Sequence, residues 1–541
     1  MKTVWYWHAR LLLVAAVIAA LAGSSFVGVA AAPAAAPGTP VRGGTLTVAA
    51  APGFPILDVQ FNPSSVITEA VGPIYERLFE RDTQGKLRPH LVKEEQVSAD
   101  GLTVTWKLQP NVKFHDGTPF NAAAVKWNLD RKIQQRLPFY TTLLMTSITV
   151  VDDLTLRVTL SQPHAALAAY LSLGTMMMYS PTWAQRASET GIRLEAIGTG
   201  PFMLTEFRPN VLVRMRRNPN YWKPGLPYLD EIVYRAVPDI STRATMLEAG
   251  DSDISAILSP ADIRRLRSNN QYAIVEQPGS RVSMVMIHNR NWPDVRVRQA
   301  LNYAIDKEAI MRAVYLGSGA TISTAYLIPK NLDGYVKAGP YPYSPDKARS
   351  LLDEAGWRVG PGGIRQRDGR PMTMDFITRR GTVVGDYETA ELVQGMLKAV
   401  GIDVKLNVWE AAALITAINA PQTRLNYDLL NWGNNAFSGD ADYSISQLYR
   451  TATWPPAGFN HAYYGNPEID RLIEAAQRVR TIAGRNKIYY PQIIRKVWDE
   501  APSIMLFDVE MQAATKRGVH GLYLEPGHNA WRFDSVWKER R

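Results

Sequence analysis

The 541-residue chain contains no cysteine. Disulfides are therefore excluded, and so are structural zinc sites built on thiolates. Histidine is scarce as well. Eight residues are spread from His8 to His528, and even the nearest two, His520 and His528, are separated by a loop containing glycine and proline. The strings that mark common catalytic sites are also missing. There is no HExxH, no phosphate-binding Walker loop, no dinucleotide fingerprint and no GxSxG. Past the first few dozen residues no apolar run reaches membrane-spanning length. These absences point away from metal, nucleotide and nucleophile-elbow chemistry, and no cofactor is expected.

Hydrophobic residues make up 46% of the chain, enough for a large core. At about 150 residues per domain the length suggests three or four domains. The 35 prolines and 38 glycines imply many turns. Fourteen tryptophans and 24 tyrosines can wall a binding cleft or fill the core. The formal charge is +10. Its basic residues are scattered, with no zinc-finger or stacking motif beside them, so nucleic acid is not an expected partner. A solubilising surface or an anionic ligand suits the charge better. The N-terminus reads as a secretion signal: Lys2 and Arg10, then an apolar run from Leu11 to Ala22, then small residues to Ala32. Val29-Ala30-Ala31 and Ala30-Ala31-Ala32 are acceptable cleavage sites, and an uncleaved anchor is the alternative. Ala31 to Pro40 reads as an Ala/Pro tether.

Residues 101–131 are the most informative segment. Leu102, Val104, Trp106 and Leu108 alternate with polar residues, the period of a half-buried strand. Asp116-Gly117 supplies a turn, and Asn121 can cap a helix with Ala122, Val125 and Leu129 on one face. Further strands are expected at 45–48, 154–160, 211–215 and 229–237. Helices are expected over Ile67–Phe79, over Thr242–Ala249 with Gly250 as terminator, and over Pro345–Ala355 between Ser344 and Gly356. Asp294 precedes Val297, Ala300, Leu301, Ala304 and Ile305, which share one face, and Asp306 can cap the next helix, ended by Gly317. Strand 374–378, helix 388–399 and strand 402–408 have βαβ spacing, which implies a parallel pair with a right-handed crossover.

The segment 101–131, with its fixed order of Leu, Pro, Val, Phe, Asp-Gly and Pro, resembles the signature region of bacterial extracellular solute-binding proteins of the peptide/nickel-binding family. These are the capture subunits of ABC importers. Gly198-Thr199-Gly200-Pro201-Phe202 and Asp294-Val295-Arg296-Val297-Arg298-Gln299-Ala300-Leu301 are similar to two further family strings. The resemblance extends from about residue 43 to beyond 500. It implies an α/β, two-lobed periplasmic binding protein fold with a hinge and an additional domain inserted in the first lobe. Carried over by segment, 1–32 is the signal peptide and 33–40 the tether. The first lobe is 41–76, 198–284 and 505–541, the inserted domain 77–197, and the second lobe 285–504.

The same resemblance implies a binding protein and not an enzyme. A small-molecule ligand, peptide-like, opine-like or an oligosaccharide, would lie between the lobes and pass to an ABC transporter permease. A monomer in the periplasm is expected. Lipid-anchored members need a cysteine at the cleavage site, which this chain lacks. The alternatives are a secreted two-lobed hydrolase, or a periplasmic chaperone or receptor with the same fold.

Candidate ligand contacts follow from two segments. Tyr427–Asn435 starts as a strand and ends in a polar, glycine-broken stretch that includes Trp432, Asn434 and Asn435. In peptide-binding relatives a similar strand leads to an aspartate that pairs with the peptide ammonium. Asn435 falls at that position here, and an amide cannot neutralise a buried ammonium. Asp440 and Asp442 follow and could supply a carboxylate through a shifted loop, while a simple turn is the other reading of Asn434 and Asn435. Arg379 and Arg380 end the strand from Met374 and resemble the arginine that grips ligand carboxylate in dipeptide-binding relatives. Otherwise both are surface residues. Trp409 follows the next strand and either walls the same cleft or packs under a helix. His115 is expected to make a structural hydrogen bond, and Met176, Met177 and Met178 to pack in a core or cleft.

Overall fold

The computed structural model describes residues 39–62, 64–324, 337–380, 385–410, 413–414, 417–418, 425–436, 438, 440–455, 457–525 and 530–539, with the backbone alone at Glu189, Arg380 and Asn434. The expected signal, most of the tether and His528 lie outside these residues. Residues 41–541 form one compact unit.

Strand β1 (Thr45–Ala50) lies inside a mixed sheet. The chain then leaves this sheet and builds a second one. Strands β2 (Val92–Val97), β3 (Thr103–Leu108), β4 (Met145–Asp152) and β5 (Thr155–Leu160) form an antiparallel sheet in the order β2-β3-β5-β4. Val104, Trp106 and Leu108 of β3 are buried together, as period-two alternation requires. Helix α1 (Ala122–Gln134) starts at Asn121, whose side chain accepts a hydrogen bond from the Ala124 N–H at 3.0 Å. Val125 and Leu129 bury its inner face in a core shared with Phe114, Phe120, Leu156 and Val158.

The helix expected over Ile67–Phe79 ends at Val71. Gly72 and Pro73 follow, and proline lacks the N–H that helix continuation needs. The chain that returns to the first sheet some 125 residues later docks on this turn. The Gly200 N–H donates to the Ile74 carbonyl at 2.9 Å, and the Phe202 N–H to the Pro73 carbonyl at 3.0 Å. A Cβ at Gly198 or Gly200 would overlap these carbonyl groups, so both glycines serve close approach. His115 donates from Nε2 to the Gly200 carbonyl at 2.9 Å, and its Nδ1 accepts from the Gly198 N–H at 3.4 Å. Two segments 83 residues apart thus hold each other, and the histidine has the structural role expected of it.

Strands β6 (Phe202–Arg208), β7 (Leu212–Arg217), β8 (Glu231–Ala236) and β9 (Ile254–Ala256) complete the first lobe. Helix α2 (Ile240–Ala249) stops at Gly250, whose φ is 89°. Strand β10 (Tyr272–Ile287) is 16 residues long and runs out of this lobe. The second lobe follows with α3 (Val295–Tyr303), α4 (Lys307–Val314), β11 (Ala320–Ile322) and α5 (Pro345–Glu354). It continues with β12 (Thr373–Arg380), α6 (Asp386–Ala399), β13 (Asp403–Glu410), β14 (Leu429–Asn435) and α7 (Ala441–Tyr449). Asp294, Asp306 and Ser344 cap their helices by accepting backbone N–H groups, as the sequence predicts. Strands β12 and β13 pair in parallel from Thr373↔Asp403 to Arg380↔Glu410, across helix α6.

Strand β15 (Ser503–Lys516) returns along β10 and pairs with it antiparallel, with a register shift between Pro278 and Arg281. The sheet reads β13-β12-β14-β10-β15-β9-β1-β8-β7-β6, with β11 on β15. The β10–β15 ribbon belongs to both lobes and joins them. Beyond it the cores separate. Leu46, Val48, Ile67 and Tyr234 pack in the first lobe. In the second lobe Met284, Trp432 and Ile493 fill one face of the sheet, and Val285, Phe376 and Leu397 the other. Among the described residues no helix is long and apolar enough to cross a membrane.

Candidate functional site

Strands β12, β13 and β14 run in one direction, so their carboxyl ends meet at one edge of the second lobe. In open α/β sheets this edge lines the ligand crevice. Arg379, Arg380, Trp409, Trp432, Asn434 and Asn435 all lie on it. Asp440 lies beyond it, at the start of α7.

Arg379 is only 6% exposed, so its surface reading falls away. Its guanidinium carbon stands 5.2 Å from the centre of the Trp432 ring, a cation–π contact. Its Nε donates to Asp386 Oδ2 at 3.1 Å. Among the described residues no hydrogen bond uses its two terminal nitrogens. Trp409 is the cross-strand partner of Arg379 and packs, half-buried, on the Trp432 side of the sheet. For Arg380 and Asn434 the backbone places them at the strand ends, Asn434 opposite Val282.

Asn434 and Asn435 are not a turn. Strand β14 runs on through Gly433 to Asn435, and Asn435 pairs with Arg281 of β10. Gly433 has no left-handed φ and fits an ordinary strand. Its lack of a side chain makes room instead. A Cβ there would overlap the guanidinium carbon and both terminal nitrogens of Arg281. Arg281 reaches the same carboxylate as Arg379, with Nη2 3.5 Å from Asp386 Oδ2. Burial draws the Arg281 pKa down. Asp386 opposes this, and the neighbouring Arg379 charge reinforces it.

Asp440 is already engaged. It caps α7 by accepting the Asp442 N–H at 2.8 Å and forms a buried ion pair with Arg485. Asp442 is buried as well. It accepts Tyr489, Gln477 Nε2 at 3.1 Å and, from the inserted segment, Tyr170 Oη at 2.9 Å. Burial pushes the Asp442 carboxyl up, but Arg485, Tyr489, His164 and Tyr170 hold it below the usual carboxylate range. The carboxylates that a shifted loop could have brought in place of Asn435 are thus held in a structural network. That network joins the insert to the second lobe, and the Phe139, Tyr170 and Tyr443 rings pack beside it.

Three residues at this edge escape a reading of the sequence. Arg281 is the one charged residue at the head of Val282–Ile287, apolar but for Ser283, which is the signal it leaves. Asp386 opens α6 directly after Gly385. His461 lies 5.0 Å from the Trp432 ring in T-shaped contact, fully buried, with no hydrogen-bond partner for either ring nitrogen among the described residues. Burial pushes its pKa down to about 4, so the ring is neutral. Among the described residues no cluster of His, Asp and Glu could hold a metal.

The family described as bacterial extracellular solute-binding proteins, family 5 middle, matches residues 86–456. The glutathione-binding protein GsiB of Pectobacterium atrosepticum is 34% identical over 461 residues, 84% of this chain and 86% of its own length. Among solved structures, NikA from Brucella suis in complex with Fe(III)-EDTA has a TM-score of 0.80 at 27% identity, covering 92% of this chain and 100% of that one. The periplasmic binding protein DppA from Helicobacter pylori, in complex with the peptide STSA, has a TM-score of 0.79 at 23% identity, covering 92% and 99%. This last likeness concerns the fold alone.

Proposed function

This chain belongs to the family 5 bacterial extracellular solute-binding proteins, and from that premise we propose that it captures an anionic, peptide-like solute of the glutathione type in the periplasm. The family consists of binding proteins, not enzymes, and the chain is one of them. It delivers a small solute to an ABC importer. In the proposed cycle the two lobes close on the ligand about the β10–β15 ribbon, and the permease reads the closed form. The secretion signal read at 1–32 supports export, and the absence of cysteine supports a protein free of a lipid anchor.

The observation that carries the ligand class is Arg379. It is buried at the strand-end edge, oriented by Asp386 and Trp432, and its terminal nitrogens are left for a ligand. A desolvated guanidinium of this kind suits a carboxylate better than a sugar hydroxyl. The GsiB relative, at 34% identity, is described as glutathione-binding, which fits an anionic peptide.

Asn435 refines the reading. An ordinary peptide presents a lone N-terminal ammonium, which an amide cannot neutralise. Glutathione is γ-linked, so its ammonium sits on the same carbon as a carboxylate and brings its own counter-charge. The expected specificity is therefore for glutathione over the α-linked isomer Glu-Cys-Gly. Calorimetry with both peptides tests this. Arg379→Ala should weaken glutathione binding by about 2–5 kcal/mol, the range for a desolvated charge pair. Asn435→Asp should narrow the preference for the γ-linked peptide. Equal binding of the two isomers by the natural protein would sink the specificity argument.

A further inference from the structure

We propose that Arg281, on the strand that joins the lobes, is a second anion-binding residue: with Arg379 it forms a two-guanidinium clamp for the carboxylates of the ligand, and Gly433 is the notch that seats it. The proposal deepens the anionic-ligand reading above and rests on it for the organic part of the ligand.

The arrangement around Asp386 is unbalanced. Two guanidinium groups approach a single carboxylate, and both approach the same oxygen, Oδ2, at 3.1 Å from Arg379 and 3.5 Å from Arg281. Oδ1 of Asp386 is buried with no hydrogen-bond partner among the described residues. An arginine whose only task was to neutralise Asp386 would take that free oxygen in a bidentate bond. Arg281 does not. Among the described residues its Nε and Nη2 are buried without a hydrogen-bond partner, a costly state for a cation. Its side chain as a whole keeps 13% of its surface exposed, while Nε and Nη2 themselves are buried. Glu388, which acts on the neighbouring Tyr315, is exposed and is not among the charges that act on Arg281. Tyr315 packs against the same cluster as a neutral phenol, its pKa pushed up by burial. Asp508 pairs with Val282, one residue on from Arg281, and strand alternation turns it to the opposite face. The cluster thus presents two cations and one anion at the carboxyl ends of the second-lobe strands. A ligand carboxylate supplies what is missing.

Two further observations support a dedicated seat. Gly433 sits in regular strand with no backbone reason to be glycine, and a Cβ there would collide with the Arg281 guanidinium. Arg281 is also the first residue to resume pairing after the register shift at Pro278, so it stands where the shared ribbon enters the second lobe. An anion held there binds at the hinge itself, which links occupancy of the clamp to closure.

The test compares the natural protein with Arg281→Gln and Gly433→Ala, using glutathione, its diethyl ester and inorganic sulfate as probes. The natural protein should prefer glutathione to the diester. Both variants should shrink that preference by about 30-fold or more, the loss expected for one desolvated charge contact. Sulfate should stabilise the natural protein saturably in thermal unfolding and should not do so in Arg281→Gln. Without added anion, Arg281→Gln should unfold no earlier than the natural protein, because it removes an uncompensated charge. If glutathione binds and the variants keep the full acid-over-ester preference, the proposal is overturned while the glutathione reading stands. If glutathione fails to bind, that reading falls and sulfate decides: saturable stabilisation lost in Arg281→Gln supports the clamp, and its absence in the natural protein overturns it. A sharp fall in the unfolding midpoint of Arg281→Gln, with the acid-over-ester preference unchanged, would make Arg281 a purely structural partner of Asp386.

Discussion

Replacing Arg485 with methionine probes the network that carries the two aspartates following β14. Arg485 is 2% exposed, and it pairs with Asp440, itself 7% exposed, while its charge also acts on Asp442. Methionine fills similar volume without charge. Asp442 keeps Tyr170, Gln477, Tyr489 and Ser446. Asp440 keeps the backbone N–H of Asp442 but loses its counter-charge. Removing one partner of a buried ion pair costs about 3–5 kcal/mol, against about 1 kcal/mol or less for an exposed pair. The deficit depends on pH in a determinate direction. Burial raises the Asp442 carboxyl and Arg485 leads the groups that more than offset it, so the folded value lies below the unfolded one. Such a group adds stability above its unfolded pKa and loses it as pH falls through the folded value. Without Arg485 burial dominates, and the carboxyl takes up a proton at higher pH. The deficit should be largest at pH 7 and shrink as pH falls through the carboxylate range. Urea unfolding followed by tryptophan fluorescence across pH 7 to 4 measures it. A loss under about 1 kcal/mol at pH 7, or one that stays constant down to pH 4, would refute the account of Asp440 and Asp442 as structural carboxylates.

Gly200→Ala should destabilise the first lobe by about 1–3 kcal/mol, because its Cβ would overlap the Pro73 and Ile74 backbone; urea midpoints report this. His461 has a folded pKa near 4 against 6.5, so the unfolded chain binds its proton first and stability is lost as pH falls from about 6.5 to 4. His461→Phe should remove about 3 kcal/mol of that acid sensitivity, read from unfolding at pH 7 and 4. Saturating glutathione should reduce the solution radius of the protein, and an unchanged scattering profile would count against closure on the ribbon.

Much of the architecture was legible because its signals are local. Asn121, Asp294, Asp306 and Ser344 announce helix starts through side-chain oxygens placed before apolar faces, and each caps its helix. Gly250 ends its helix where a left-handed residue is needed. The βαβ spacing from 374 to 408 forces a parallel pair, and so brings Arg379 and Trp409 to neighbouring positions. Local signals misled in two places. The apolar recurrence through Leu78 continued a helix that Pro73 ends. Gly433 read as a breaker, yet the strand passes through it.

What the sequence by itself determined is therefore the set of elements, their parallel pairing in the second lobe, and an edge carrying Arg379, Trp409, Trp432 and Asn435. Periodicity, caps and turn residues act within a few residues of one another, so they can be read from the string. Tertiary structure alone decided which charges meet. Asp440 went to Arg485, 45 residues away, and not to a ligand. Asp386 drew in both Arg379 and the distant Arg281, and Gly433 leaves room for a side chain more than 150 residues earlier. Electrostatic partners and steric notches depend on distances in space that no local pattern encodes, and the character of the site depends on them.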